Sequence, residues 1–189
     1  MEGRPAEDNE LVERARQGDV GAYEELVRRY QHLALRVAYL ITRDEGEAED
    51  ASQEAFVKAY RALDRFKSGS AFRPWVLTIV SNEAKNRRTS GSRRAALALR
   101  AVRARPSGGA APSPEVAALD RETHSGVIAA MNALPDRDRL VLGYRYFLDM
   151  TEADMAAILG VARGTIKSRI SRAQARLREE IDRRGGRDV

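Results

Sequence analysis

Apolar residues recur along almost the whole chain at intervals of three and four, the spacing of one helix face. Leu11, Val12 and Ala15 begin the pattern over residues 9–17. Asp19 is a good N-cap for a longer helix whose inner side carries Tyr23, Leu26, Val27, Tyr30, Leu33, Ala34, Val37 and Ile41. A third helix is expected from about Glu45. Its seam of Ala48, Ser52, Ala55, Ala59 and Ala62 is small enough for another helix to approach closely. "DRFKSGS" reads as a loop. Pro74 then suits the first turn of a fourth helix, with Trp75, Val76, Ile79 and Val80 on its apolar side.

The character changes at residue 91. "GSRRAALALRAVRARPSGGAAPSPE" is rich in Ala, Arg, Gly, Ser and Pro. Its Arg-Ala half is compatible with helix, but "PSGGAAPSP" is not. A flexible linker is therefore expected over 91–121, between domains at 1–90 and 122–189. In the second domain, Val127, Ile128, Met131 and Leu134 mark a helix ended by Pro135, and Leu140, Val141, Tyr144 and Phe147 mark the next. "TEAD" at 151–154 resembles a capping box and opens a short helix with Met155, Ile158 and Leu159 inward. Gly160 suits the C′ position. A tight turn and a basic helix follow, which completes a helix-turn-helix. The expected fold class is all-α: two small helical domains, the second ending in that motif.

The last helix has two faces. At 100° per residue Ile166, Ile170, Ala173, Leu177 and Ile181 form one apolar stripe. Ser168, Ser171, Arg172 and Ala175 lie opposite; Lys167 and Arg178 flank them on one side, Thr165, Arg169 and Arg176 on the other. Small polar residues at the centre suit a helix seated deep in a major groove, and long cations at the margins suit phosphates. Arg172 is the candidate for bidentate pairing with guanine. The same composition also fits a solvated C-terminal helix whose cations complement its own dipole.

Charge sharpens the choice. The chain is net +5, but residues 1–64 are net −6, 65–105 net +10, 106–160 net −4 and 161–189 net +5. Two basic blocks, each at the end of an apolar helical pattern, point to nucleic acid. There is no cysteine, and the two histidines, His32 and His124, are far apart. No disulfide, thiolate nucleophile, metal site or cofactor is expected. No glycine-rich phosphate loop or nucleophile–base arrangement argues for an enzyme. The apolar runs are too short to span a membrane, and the polar, acidic N-terminus has no secretory core, so the expected location is cytoplasmic without membrane contact.

Two stretches carry a resemblance. "DRDRLVLGYRYFLDMTEADMAAILGVARGTIKSRISRAQARL" resembles the −35-reading domain of bacterial sigma factors, and "EGEAEDASQEAFVKAYRALDRFKSGSAFRPWVLTIVSNEAKNRR" resembles their −10 domain. Their order and short separation resemble the extracytoplasmic-function (group 4) class. The resemblance implies a transcription initiation factor whose partners are core RNA polymerase (β and β′), promoter DNA and an anti-sigma factor. It implies that Asp50, Gln53 and Glu54, on a shared helix side, dock on the β′ clamp helices. It implies a −10 site in residues 66–88 formed by Phe66, Lys67, Ser70, Phe72, Asn82, Lys85, Asn86, Arg87 and Arg88, with an extruded base held at "FKSGSAF". Phe66, Phe72 and Trp75 are potential stacking platforms, although aromatics so spaced also suit a core. The −35 readers would be Arg163, Thr165, Lys167, Ser168, Arg169, Ser171, Arg172 and Arg176. The chain departs from the family pattern at Asn86, where many relatives carry Asp, at Ala162, where Ser is frequent, and at Asp149, where Gly is common. A DNA-binding regulator that never touches polymerase is the alternative.

Overall fold

The computed structural model describes residues 5–102 and 121–185; the "PSGGAAPSP" stretch expected to be a flexible linker lies outside them. The described residues form eight α-helices, a 3-10 turn and a π turn, without strands. The helices are α1 (Pro5–Arg16), α2 (Val20–Thr42), α3 (Glu45–Arg61), α4 (Phe72–Val102), α5 (Arg121–Ala133), α6 (Asp136–Leu142), α7 (Glu152–Leu159) and α8 (Arg163–Gly185). Helix α4 thus continues past residue 90, so the first part of the expected linker is helix. The Ala- and Arg-rich sequence there has high helix propensity and no proline.

Local chemistry explains the ends. Asp19 caps α2 by accepting from the Ala22 N–H at 3.1 Å. The Arg14 guanidinium, 2.6 Å away, holds its carboxyl below the usual carboxylate range. Asp44 caps α3 through the Glu47 N–H. Thr151 accepts from the Asp154 N–H at 3.1 Å, which is the threonine half of the expected capping box. Gly160 closes α7 in the left-handed region at φ 63°, where glycine meets no steric cost.

Helices α1–α4 form the first bundle. The seam of Ala48, Ala51, Ala55 and Ala59 is fully buried, so α3 lies close against α2 and α4. Phe66, Phe72 and Trp75 pack ring against ring with centroids 5.0–5.9 Å apart, and Phe72 also meets Tyr30. Burial pushes the Tyr30 phenol above its ordinary range, as does its hydrogen bond to Asp8.

Helices α5–α8 form the second bundle. Ile166 and Ala173 of α8 are buried, whereas Ile181 is 38% exposed because the stripe outruns its partners. The expected inward Phe147 is corrected: it is 55% exposed. A π turn over Gly143–Phe147, with Leu148 N–H bonded to the Gly143 carbonyl, shifts the register of the side chains and turns Phe147 outward. Asp149 follows at φ 45°, a left-handed conformation that favours glycine and that Asp tolerates.

The two bundles share one apolar core. Met155, Ile158 and Ile166 belong to the same buried cluster as Val80 and Ala84, with α7 laid on α4 and α6 beside α2. A Cβ on Gly143 would fall 2.9 Å from Leu40 Cδ1, so glycine permits this approach. Tyr144 is buried beside Ser81, and its phenol is pushed up to about 12 by burial. Polar contacts rim the seam. Arg88 pairs with Asp136, Arg43 lies 3.7 Å from Asp136, and Arg36 donates to the Phe147 carbonyl at 2.7 Å.

Asp136 is thus an anionic centre between cations of both bundles, since Arg139 also pairs with it. Asp136→Lys replaces those attractions with repulsion. It is expected to separate the bundles, seen as a larger radius of gyration by small-angle X-ray scattering with far-ultraviolet helicity retained. An unchanged radius would show that the apolar seam closes the molecule without Asp136.

Candidate nucleic-acid interface

Burial of the apolar side of α8 decides what its other side can do. With Ile166 and Ala173 buried, Lys167, Ser168, Ser171, Arg172 and Ala175 are exposed along the opposite side. Arg163 is exposed at the N-terminus of α8, and Thr165, Arg169 and Arg176 are half-buried at the margin. Of the residues expected to face DNA, Arg163, Lys167, Ser168, Ser171 and Arg172 are open, while Thr165, Arg169 and Arg176 lie at the half-buried margin. The Arg172 Nε donates to the Ser168 carbonyl at 3.1 Å, which lays the side chain along the helix. Ala162 precedes α8 without a side-chain cap, although the Thr165 N–H reaches the Ala162 carbonyl at 2.9 Å.

The candidate −10 residues divide. Lys67, Asn82, Lys85, Asn86 and Arg88 are exposed, and Ser70 and Arg87 are half-buried. Asn82 and Asn86 lie one turn apart on α4 and are open together. Phe66 and Phe72 are corrected: they are 3% and 1% exposed and belong to the core. Burying two rings removes far more apolar area from water than one transient base stack would cover. What remains exposed between them is the loop tip, Lys67, Ser68, Gly69 and Ala71. Gly69 sits at φ 81°, where a side chain would be strained, inside a turn closed by the Ser70 N–H on the Lys67 carbonyl at 3.0 Å.

On α3, Asp50 and Gln53 are exposed and Glu54 is half-buried. Asp50 accepts from Arg87 at 2.8 Å, so a candidate polymerase contact and a candidate DNA contact satisfy each other in the free chain. Such an exposed pair contributes roughly 0.2–1 kcal/mol and yields readily to a better partner. Glu54 lies 3.8 Å from Lys58.

Helix α6 holds two more of the candidate cations. Asp136 pairs with Arg88 of the −10 set, and Asp138 pairs with Arg176 of the −35 set. Lys85, Arg88, Arg137 and Arg169 line one cavity of about 510 Å³ between the bundles, with Asp136. Arg88 of the −10 set and Arg169 of the −35 set thus line one cavity with Asp136, while Asp138 holds Arg176 within the second bundle.

A further surface escaped the sequence reading. Val127, Met131, Leu142, Tyr146, Phe147 and Leu177 line an apolar groove of about 290 Å³ on the second bundle. The Tyr146 hydroxyl accepts from Gln174 at 2.7 Å across it. Exposed apolar grooves mark interaction surfaces. Helical spacing groups Phe147 with Leu140, Val141 and Tyr144; the adjacent aromatic pair Tyr146-Phe147 is the signal in the sequence for this surface.

The comparisons with known proteins fit this geometry. Residues 26–94 match the model for sigma-70 region 2, and residues 125–177 match that for sigma-70, region 4. The chain is 39% identical to the ECF RNA polymerase sigma-E factor of Escherichia coli (strain K12), over 93% of this chain and 92% of that protein. Among solved structures, it is similar to CnrH in complex with the cytosolic domain of CnrY, with a TM-score of 0.67, 25% identity and 93% and 97% of the two chains covered. It is similar also to the sigma factor RpoE of Bartonella quintana in complex with the anti-sigma factor NepR, with a TM-score of 0.60, 27% identity and coverage of 85% and 96%.

Because Phe72 is a core residue, Phe72→Ala is expected to cost about 3–5 kcal/mol of stability in denaturant unfolding. A loss below about 1 kcal/mol would return the ring to the candidate DNA surface.

Proposed function

The chain belongs to the ECF class of RNA polymerase sigma factors, which direct transcription initiation at promoters, and from that premise we propose how its surfaces divide the work. The exposed side of α3, with Asp50, Gln53 and Glu54, docks on core polymerase. The open side of α8 lies in the major groove of the −35 element. Ser168 and Ser171 allow close approach, Arg172 reads a base edge, and Arg163, Lys167, Arg169 and Arg176 meet phosphates, with Thr165 at the groove margin. Lys67, Ser70, Asn82 and Asn86 receive unpaired −10 bases, while Lys85, Arg87 and Arg88 hold the strand. The chemistry is non-covalent. Extruding a base costs a few kcal/mol of stacking, which a shaped loop offsets. The observation that carries the reading is the open cationic side of α8 above its buried apolar side.

The closed arrangement is a non-reading form under this proposal. Elements named for positions −10 and −35 lie about 25 base pairs apart, roughly 85 Å along a duplex at 3.4 Å per step. Side chains that line one cavity between the bundles cannot reach both. Polymerase and promoter would separate the bundles and release Arg88 from Asp136; within their own bundles, Arg87 would exchange Asp50, and Arg176 Asp138, for phosphates. An anti-sigma partner, of the kind held by the B. quintana relative, would hold the chain away from polymerase. The site of action is the cytoplasm, with the polymerase.

Arg172→Ala is expected to cost about 1–3 kcal/mol of −35 duplex binding and to relax preference at one base pair. Unchanged −35 preference would remove Arg172 from base reading. Asp50→Arg is expected to abolish capture by core polymerase in a pull-down while leaving −35 binding by the free chain intact. Full capture would place the polymerase contact elsewhere on the molecule.

A further inference from the structure

Arg16, at the end of α1, makes contacts that none of the surfaces described above accounts for. Its Nε donates to the Leu63 carbonyl at 2.9 Å, and its Nη2 donates to the Phe66 carbonyl. Its Nη1 reaches Glu13 at 2.6 Å and Ser68 Oγ at 3.2 Å. Ser68 Oγ in turn donates to Glu13 Oε1 at 2.9 Å. The guanidinium is largely covered, with 17% of its side chain exposed. One planar fork therefore ties α1 to both ends of the turn that leads into the loop at 66–72.

The carbonyls it meets explain why an arginine is placed there. Leu63–Arg65 is a short 3-10 turn whose Leu63 carbonyl accepts the Phe66 N–H at 3.0 Å, so Arg16 is a second donor to it. The Phe66 carbonyl just past the turn takes the other arm of the guanidinium, so the cation bridges the two ends of the turn. Phe66 and Phe72 anchor the two ends of the loop in the core, and Gly69 provides its tight bend. Between these anchors, the Ser70 N–H bond to the Lys67 carbonyl closes the turn locally, and the Arg16–Glu13–Ser68 triad ties the exposed part of the loop to α1. A lysine could not replace it, because a single ammonium lacks the fork geometry that spans two carbonyls and a hydroxyl.

We propose that Arg16, with Glu13, is a positioning residue for −10 base selection: it holds the loop at 66–72 in the shape that discriminates the extruded base. The inference rests on the proposed role of that loop. A loop fixed before binding loses little freedom when the base arrives, and it can reject a wrong base instead of adapting to it. Arg16 touches no base; it acts through the backbone of Leu63 and Phe66 and the hydroxyl of Ser68.

The test uses holoenzyme reconstituted from core polymerase and the full chain, transcribing a promoter library randomised at both elements. Wild type is expected to show a sharp preference at −10. Arg16→Ala is expected to lower preference at one −10 position about tenfold, equivalent to ~1.4 kcal/mol, while preference at −35 stays as in wild type. Arg16→Lys is expected to resemble Arg16→Ala. Arg14→Ala, whose guanidinium meets only the exposed Asp19 cap, is the control and leaves both preferences unchanged. Unaltered −10 preference in Arg16→Ala overturns the inference, as does an equal fall at −10 and −35, which marks general destabilisation. Should Arg16→Ala not fold, Glu13→Gln combined with Ser68→Ala decides: a selective loss at −10 supports the inference and no change overturns it. If wild type itself shows no −10 preference, it is the role of the loop that fails.

Discussion

The burial of α7 against α4, with Ile166 of α8 in the same apolar cluster, governs everything else in this molecule. Met155 and Ile158 of α7 and Ile166 of α8 are buried in one apolar cluster with Val80 and Ala84 of α4. Two consequences follow from one packing event. The opposite side of α8 is turned to solvent with its serines and cations on view. The two bundles are also brought together, so that cations from α4 and α8 surround a common cavity. Hydrophobic burial is strong but non-directional. The directional part comes from Asp136, whose carboxylate picks out Arg88 across the seam, while Asp138 holds Arg176 within the second bundle.

Under the proposed function, one chain would put the same side chains to two uses. In the closed form, Arg87, Arg88 and Arg176 are satisfied by carboxylates of the chain itself. On a promoter, phosphates would take those places. The exposed pairs are worth little by themselves, but parting the bundles also uncovers Met155, Ile158 and Ile166, so under the proposed function polymerase and promoter contacts must offset that loss. A partner that supplies polymerase contacts or many phosphates at once can tip the exchange, and one that favours the closed arrangement can hold it. The chain shares its overall arrangement with CnrH solved with the cytosolic domain of CnrY and with the sigma factor RpoE solved with NepR.

What was legible in the sequence is what short-range chemistry dictates. The Asp19 cap, the alanine seam of α3, Thr151 and Gly160 around α7, and the two-sided pattern of α8 all act within a few residues, and each stands where the periodicity placed it. Two kinds of feature were not legible. Phe66 and Phe72 are of a residue type that serves cores and base stacks equally, and only three-dimensional burial separates the uses. Arg88 with Asp136, and Arg16 with Leu63 and Phe66, are 48, 47 and 50 residues apart and leave no periodic trace. Phe147 was misplaced because one π turn changes the register that a helical count assumes.

The exchange of internal carboxylates for promoter phosphates can be observed as a change in distance between the bundles. The natural chain has no cysteine, so the exposed Arg61 and Glu179 can be replaced by cysteine and labelled with a fluorescence energy-transfer pair without background. The free chain should show a single short separation, and the same labelled chain in holoenzyme on a promoter it transcribes should show one longer by tens of ångströms, set by the roughly 85 Å between the two elements. An identical separation in the two states would contradict the idea that closing and reading exclude each other.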